Sequence, residues 1–296
     1  MKYIVTGSLG HISKPLTQQL IKAGHEVTVI SNNPDNSAAI EKLGASAAIG
    51  SVEDPEFLLN AFKGADAAYT MVPPFFGSSN WKQQIADVGK NYAEAIKSAG
   101  IKHVVNLSSI GAHMPEGCGP VSGLYQVEKA LNALEEVHVK HLRPGFYFYN
   151  FLNNAGMVKY MGIIGGNYGA DTEMLMADPK DIAEVAAQEL LDLSFTGKSN
   201  RYIISDERST HEIARVLGQA IDKPDLTWVD FTDDATLGAM LQNGLPEDNA
   251  KNYTEMGTAI RSGEMFSHYR KQGFIPQGKI RLEHFAPVFA EAFAKA

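Results

Sequence analysis

The sequence predicts an α/β fold: a doubly wound parallel sheet with a smaller, mostly helical C-terminal lobe. Three observations predict it. Short apolar runs alternate with amphipathic stretches through the first half of the chain. Those runs are apolar on both faces, as strands are when helices cover both sides of a parallel sheet. The first run leads at once into a glycine turn, Gly7-Ser8-Leu9-Gly10, followed by an amphipathic stretch from Leu16 to Ile21. Strand, tight turn and helix in that order open a βαβ unit, and right-handed crossovers then give a doubly wound sheet.

Strands are expected at Tyr3–Thr6, Glu26–Ile30, Ser46–Ile49, Ala67–Met71 and His103–Leu107. Helices are expected near Leu16–Ala23, Ala38–Leu43, Glu56–Phe62 and Gln83–Ser98. A further helix over about Gly123–Val137 precedes a strand near His141–Leu142, and the helix Pro179–Leu191 with the strand Arg201–Ile204 extends the sheet. After Ser209 helical patterns dominate, at Thr210–Ile221, Ala235–Gln242, Glu255–Ser262 and Ala286–Ala294, with one strand-like piece at Leu226–Val229. The core thus covers residues 1–150 and is completed by about 176–206; the lobe takes 151–175 and 207–296. No Gly/Ser-rich or Pro-rich linker separates the two, so they should share a large interface.

At 296 residues, 44% hydrophobic and 20% charged, the chain has ordinary globular composition and can bury a large core. A net charge of −8 without any Lys/Arg run argues against nucleic acid and anionic membrane as partners. No apolar stretch has the length of a transmembrane helix, and the N-terminus enters a strand with no signal region. Cys118 stands alone and cannot form an internal disulfide, so a cytoplasmic location is expected.

The glycine turn has its own chemistry. Gly7 permits a sharp bend, Gly10 lets the backbone approach a flat charged group, and the helix behind presents free N–H groups to an anion. Gly7, Ser8, Leu9, Gly10, His11 and Ile12 are therefore expected to cradle a dinucleotide pyrophosphate. Ser13 holds the place of a third small residue. A plain strand-to-helix turn would show the same spacing, but position in the first βα unit favours the nucleotide. The second strand ends Ser31-Asn32-Asn33-Pro34. An acid there would bond the 2′-hydroxyl of NAD, and an Arg the 2′-phosphate of NADP. Neither is present; Ser31, Asn32 and Asn33 can donate to either, and Lys14 adds positive charge nearby. The lack of a repelling carboxylate favours NADP(H) over NAD(H), although the same residues also suit a polar turn before proline.

Tyr125 and Lys129 are four apart on a predicted helix and share a face. An ammonium beside a phenol stabilises the phenolate and makes the Tyr a usable general acid, and it can also hold the nicotinamide ribose. The helix follows the fifth strand, which ends Asn106-Leu107-Ser108-Ser109 at the ligand edge of the sheet, so Ser109 could hold a substrate oxygen beside Tyr125. Against this, Tyr125 could be an interfacial aromatic and Lys129 a solvated surface charge.

Several segments together resemble one family. Thr6 to Leu16 is similar to the TGATGxIGRPL opening of the NmrA-like group of atypical short-chain dehydrogenases, and Gly50-Ser51-Val52-Glu53-Asp54-Pro55 to its GDLxDP. Asn91 to Ser109 resembles its helix and strand ending in paired serines. Leu142 to Phe151 resembles its LRPGFFxEN segment, and Asp178 to Ala183 its DxxDIA stretch. The resemblance implies a Rossmann-like NAD(P)-binding domain with a small C-terminal lobe. It also implies relatives that reduce quinones, azo dyes and plant phenolics, or sense cofactor without turnover. It further implies that Ser51 and Val52 flank adenine, that Met71, Val72 and Pro73, with Pro74, line the nicotinamide side, and that Ser109, Tyr125 and Lys129 match the Ser-Tyr-Lys triad. Asn32, Ser51 and Ser13 depart from the family's Arg, Asp and Gly.

Aromatic residues gather at Phe75, Phe76 and Trp81 and again from Phe146 to Phe151. Phe75, Phe76, Phe146, Tyr147 and Tyr149 are expected to wall a pocket for a planar substrate, although such residues also pack interfaces between lobes. No metal is expected. His211-Glu212 begins like a zinc motif but ends in Arg215, His138 and His141 lack further ligands, and Ser209 with Thr210 reads as a helix cap. The expected function is NAD(P)H-dependent reduction of a small aromatic or quinonoid carbonyl compound by Tyr-Lys assisted hydride transfer. A cofactor-sensing regulator that binds a protein partner is the alternative, and a nucleotide-sugar epimerase or dehydratase fits the aromatic pocket poorly. A homodimer is left open.

Overall fold

A computed structural model describes residues 1–296. The chain begins β1 (Lys2–Val5), α1 (Ser13–Lys22), β2 (Glu26–Ser31), α2 (Ser37–Lys42), β3 (Ser46–Ile49), α3 (Pro55–Ala61) and β4 (Ala67–Thr70). It continues α4 (Trp81–Ala99), β5 (His103–Leu107), α5 (Val121–Asn132), β6 (His138–Pro144), β7 (Phe146–Tyr147), α6 (Ala155–Met161), β8 (Ile164–Gly166) and β9 (Glu173–Ala177). Then come α7 (Pro179–Asp192), β10 (Lys198–Ile203), β11 (Asp206–Ser209), α8 (Thr210–Gln219) and β12 (Trp228–Asp230). The chain closes with α9 (Asp233–Gln242), α10 (Glu247–Arg261), α11 (Glu264–Lys271) and α12 (Leu282–Lys295).

Seven strands form one sheet in the order β10-β6-β5-β4-β1-β2-β3, and every pair in it is parallel. The order reverses direction between β1 and β4. Loops leaving neighbouring strands diverge there, opening a crevice at the carboxyl edge of the sheet. One face is covered by α1 and α7, the other by α3, α4 and α5. The strands are buried on both sides, which is why Ile4, Val5, Ala67, Ala68, Tyr69, Val104 and Val105 read as continuous apolar runs.

The third core lies in the C-terminal lobe, where Phe148, Phe151, Met174, Leu175, Trp228, Phe285 and Phe289 pack together. The lobe contains more strand than the sequence suggests. β7, β9 and β11 form a three-stranded sheet and β8 pairs with β12. Only β12 overlaps an expected piece, Leu226–Val229; the others have two to five residues and are specified by their neighbours, so no periodicity announces them.

Helix starts follow local chemistry. Asp54 caps α3, its carboxylate accepting from the N–H groups of Glu56 and Phe57, and Asp178 caps α7 by accepting from Lys180. Ser209 and Glu212 form a capping box on α8. The α4 N-terminus is met from the lobe, where the Asp248 carboxylate accepts from the Trp81 N–H at 2.8 Å. Helix α1 starts at the crevice. It has no side-chain cap and no acid in its first turn.

Candidate functional site

The glycine turn leaves β1 at the switch point. Gly7 has φ +91° and Ser8 φ +55°, both left-handed, so the chain reverses within two residues. A Cβ on Gly7 would stand 2.5 Å from Ser13 Oγ and 2.9 Å from Met71 Cγ, so neither bend nor space admits a larger residue. Ser13, in place of a third glycine, donates from its hydroxyl to the Thr6 carbonyl at 2.8 Å and ties α1 to the end of β1. Its small side chain keeps helix and strand close. The Gly10 N–H donates to the Gly7 carbonyl, but the N–H groups of Leu9, His11, Ile12 and Ser13 donate to nothing in the protein. Four free donors at a bare helix N-terminus make a place for an anion of phosphate type. The donor set fits a dinucleotide pyrophosphate held by residues 7 to 12.

Met71 sits at the end of β4, beside the turn. Its N–H donates to Thr6 Oγ1 at 2.8 Å, and its carbonyl accepts from the buried Tyr92 hydroxyl at 2.7 Å. Met71, Val72 and Pro73 are half-buried along the crevice side of this strand end. On the opposite flank Val52 is buried and Ser51 half-buried, and Asn91 of α4 donates to the carbonyls of Val52 and Glu53 at 3.3 Å each. The ribose corner contains more than the expected Ser31, Asn32 and Asn33. Asn36 reaches back from a short 3-10 turn, donating to Ser8 Oγ at 3.0 Å and Ser31 Oγ at 3.1 Å. Asn32 is exposed and its side chain makes no hydrogen bond, while Asn33 caps the turn by accepting from the Asp35 N–H. Asn36, Asn91 and Tyr92 escaped the sequence reading. The signal for Asn36 was present: an Asx cap followed by Pro34 curls the chain so that the third residue on faces the strand end.

Ser109, Tyr125 and Lys129 are not hydrogen-bonded to one another. Ser109 is half-buried and its hydroxyl donates to the Ile110 carbonyl at 3.0 Å. Tyr125 is half-buried and unpartnered. Lys129 is exposed and lines an outer groove between α4 and α5 with Asn80, Lys82, Gln83 and Gln126. The charged residue that α5 buries is Glu128. Its carboxylate accepts from Ser108 Oγ at 2.6 Å and from Arg143 Nε and Nη2 at 2.9 and 2.6 Å, all buried. Arg143 also donates to the Tyr202 hydroxyl at 3.1 Å, and burial together with the Arg143 guanidinium sets that phenol, with a net rise above its ordinary pKa.

The aromatic residues divide. Phe146, expected in the pocket, is buried in the lobe core against Phe151 and Tyr168, with ring centroids 5.3 and 5.5 Å away. Strand β7 pairs with β9 and turns that side chain inward, so Phe146 is corrected from pocket wall to core. Phe148 and Phe151 are core as well. Tyr147 is half-buried, with its phenol pKa pushed up by burial. Tyr149 packs at a tilt against His11 of the glycine turn, with ring centroids 4.6 Å apart, and against Phe285 at 5.5 Å, linking the turn to the lobe. Phe75 is half-buried and Phe76 is 69% exposed. Their loop is held by the buried Asn249 of α10, which accepts from the Gly77 N–H and donates to the Phe75 carbonyl.

A parallel sheet whose strand order reverses above an uncapped helix N-terminus defines a Rossmann-like α/β protein. Residues 2–257 match the model of the NmrA-like family, and the chain belongs to that family. An NADPH-dependent quinone oxidoreductase from Escherichia coli, solved with NADPH, has a similar fold, with TM-score 0.79 and 21% identity over 99% of both chains. The Citrobacter sp. triphenylmethane reductase complexed with NADP(H) superposes with TM-score 0.77 and 19% identity over 98% of this chain and 100% of its own. In sequence, a Streptomyces lividans UDP-glucose 4-epimerase is 27% identical over 190 residues, 60% of this chain and 56% of its own. The chain thus spans about half the length of that curated relative. No helix is long and apolar enough to cross a membrane.

Proposed function

We propose that the chain is an NADP(H)-dependent reductase of a small planar aromatic or quinonoid carbonyl compound. The observation that carries this reading is the set of unpartnered N–H groups of Leu9, His11, Ile12 and Ser13 at the switch point of the sheet. The solved structures of like fold support it, since they are named for NADPH-dependent reduction of quinones and for triphenylmethane reduction.

A reduced nicotinamide nucleotide, when bound, supplies a hydride. The chain's residues do the rest. Residues 7 to 12 bind the diphosphate through backbone donors. Met71, its backbone held at both ends by Thr6 and Tyr92, would line the nicotinamide side of the site. Ser109 orients the acceptor oxygen and Tyr125 delivers a proton to it. Tyr147, Tyr149 and Phe75 supply the flat walls, and Phe76 covers the mouth. Lys129, exposed, acts on Tyr125 only through screened solvent.

The test is a fluorescence titration with NADPH and NADH, followed by turnover assays on quinones and cationic dyes. Binding with turnover supports the reading. Binding without turnover on any planar acceptor favours a cofactor sensor, and binding of neither nucleotide refutes the site.

A further inference from the structure

We infer that this chain recognises the 2′ corner of its dinucleotide by neutral hydrogen bonds of the Asn32 and Asn36 carboxamides, and not by charge. The inference rests on the cofactor reading above. Asn36 Nδ2 donates to both Ser8 Oγ and Ser31 Oγ, and Ser8 Oγ donates to Ser31 Oγ at 2.9 Å. The Asn33 N–H also donates to Ser31 Oγ, which in turn donates to the Asn33 carbonyl, both at 3.2 Å. This latch joins the glycine turn to the end of β2, across the place where an adenosine ribose must lie.

The inventory of free groups follows from the latch. Ser31 is 2% exposed and its hydroxyl is saturated, so it has nothing left for a ligand. The Oδ1 of half-buried Asn36 and the whole amide of exposed, unpaired Asn32 remain. Both N–H groups of Asn36 are spent in the latch, so it can only receive a bond, from a 2′-hydroxyl, on Oδ1, whereas the unpaired Asn32 amide can receive one from a 2′-hydroxyl or give one to a 2′-phosphate. From Ile30 to Ser37 there is no Lys or Arg, and the one acid, Asp35, is exposed. A 2′-phosphate placed here meets dipoles and no side-chain cation of this segment.

Two consequences distinguish dipoles from charge. A neutral hydrogen bond changes an equilibrium by about two- to tenfold, so the affinity ratio of NADPH to NADH should stay below about tenfold. That ratio should also be insensitive to salt, because ionic screening of the shared diphosphate cancels between the two nucleotides.

The experiment titrates the full chain with NADPH and with NADH at about 25 and about 300 mM NaCl, by nucleotide fluorescence. The expected result is a modest ratio that changes by less than about twofold with salt. Asn36→Asp, which gives up both latch donors and sets a carboxylate at the position of Oδ1, should move the ratio about tenfold towards NADH. Asn32→Arg should move it at least about tenfold towards NADPH and make it fall with salt. A native ratio that is large and collapses with salt overturns the inference, and loss of that behaviour in Lys14→Ala would name the cation responsible. An unchanged ratio in Asn36→Asp overturns it as well. Failure of the native chain to bind either nucleotide removes the cofactor reading itself, an outcome distinct from both.

Discussion

Replacing Glu128 by Ala should be among the most destructive single changes in the sheet, and its size can be worked out from the partners left behind. Glu128 and Arg143 are each 5% exposed. Without the carboxylate, Arg143 loses its Nε and Nη2 acceptors and Ser108 loses its only acceptor, while Arg143 keeps a single bond to Tyr202. Removing one partner of a buried pair costs about 3–5 kcal/mol, because the other charge stays desolvated. Glu128→Gln, which keeps acceptor and shape, should cost less, about 1.5–3 kcal/mol for the lost charge-assisted bonds. Removing both charges with Glu128→Leu and Arg143→Met should cost far less than the two single changes added together, since no ion is stranded. Equilibrium urea unfolding of the native chain and these variants is the assay. A Glu128→Ala loss below about 1 kcal/mol, or additivity in the double variant, would refute the argument that this pair is desolvated and mutually dependent.

Three further outcomes are expected. Gly7→Ala should combine a left-handed backbone cost of about 1–2 kcal/mol with a clash at Ser13 and Met71, and should abolish nucleotide binding. Gly24→Ala, at φ +85° with nothing within 4 Å, should show the backbone cost alone; equal losses in urea unfolding would remove the close approach from the account. His141 is buried between Asn106 and Asn132, and desolvation pulls its pKa down to about 4. The unfolded chain therefore takes up a proton that the native state refuses. This contribution is whole above about pH 6.5 and is lost towards pH 4, by at most about 1.4 kcal/mol per pH unit. A His141→Asn variant should lose less stability between pH 7 and 5 than the native chain, and parallel losses would contradict the burial. Tyr125→Phe should lower kcat by at least about tenfold with NADPH affinity unchanged. Lys129→Ala should change kcat by less than about threefold, because an exposed ammonium is screened. Steady-state kinetics decides both, and full turnover in Tyr125→Phe would take that phenol out of the proton transfer.

The legible parts of the fold were those set within a few residues. Strands β1 to β5 and the helices between them lie where apolar runs and amphipathic spacing put them, within a residue or two at most ends. The helix expected to run to Val137 stops at Asn132, and the strand expected at His141–Leu142 spans His138–Pro144. Leu134 and Val137 continue a helical apolar spacing, and His138 and Lys140 disguise a strand. Pairing with β5 on one side and β10 on the other makes it one. In the site, Gly7, Gly10 and Ser13 were readable because turn, helix start and close packing are local demands.

Aromatic character, by contrast, could not say which rings face the crevice. Phe146 is turned into the lobe by pairing with Met176, thirty residues on, and Tyr149 is left beside His11.

The sequence by itself determined a strand, a left-handed glycine turn and a helix with a bare N-terminus, because backbone conformation and capping depend on adjacent residues. The tertiary structure alone decided what stands around that turn. Asn36 meets Ser8 across 28 residues, Tyr92 holds Met71 across 21, and Asn249 grips the Phe75 loop across more than 170. Such contacts depend on where crossover connections set each strand end, and no local pattern encodes that distance.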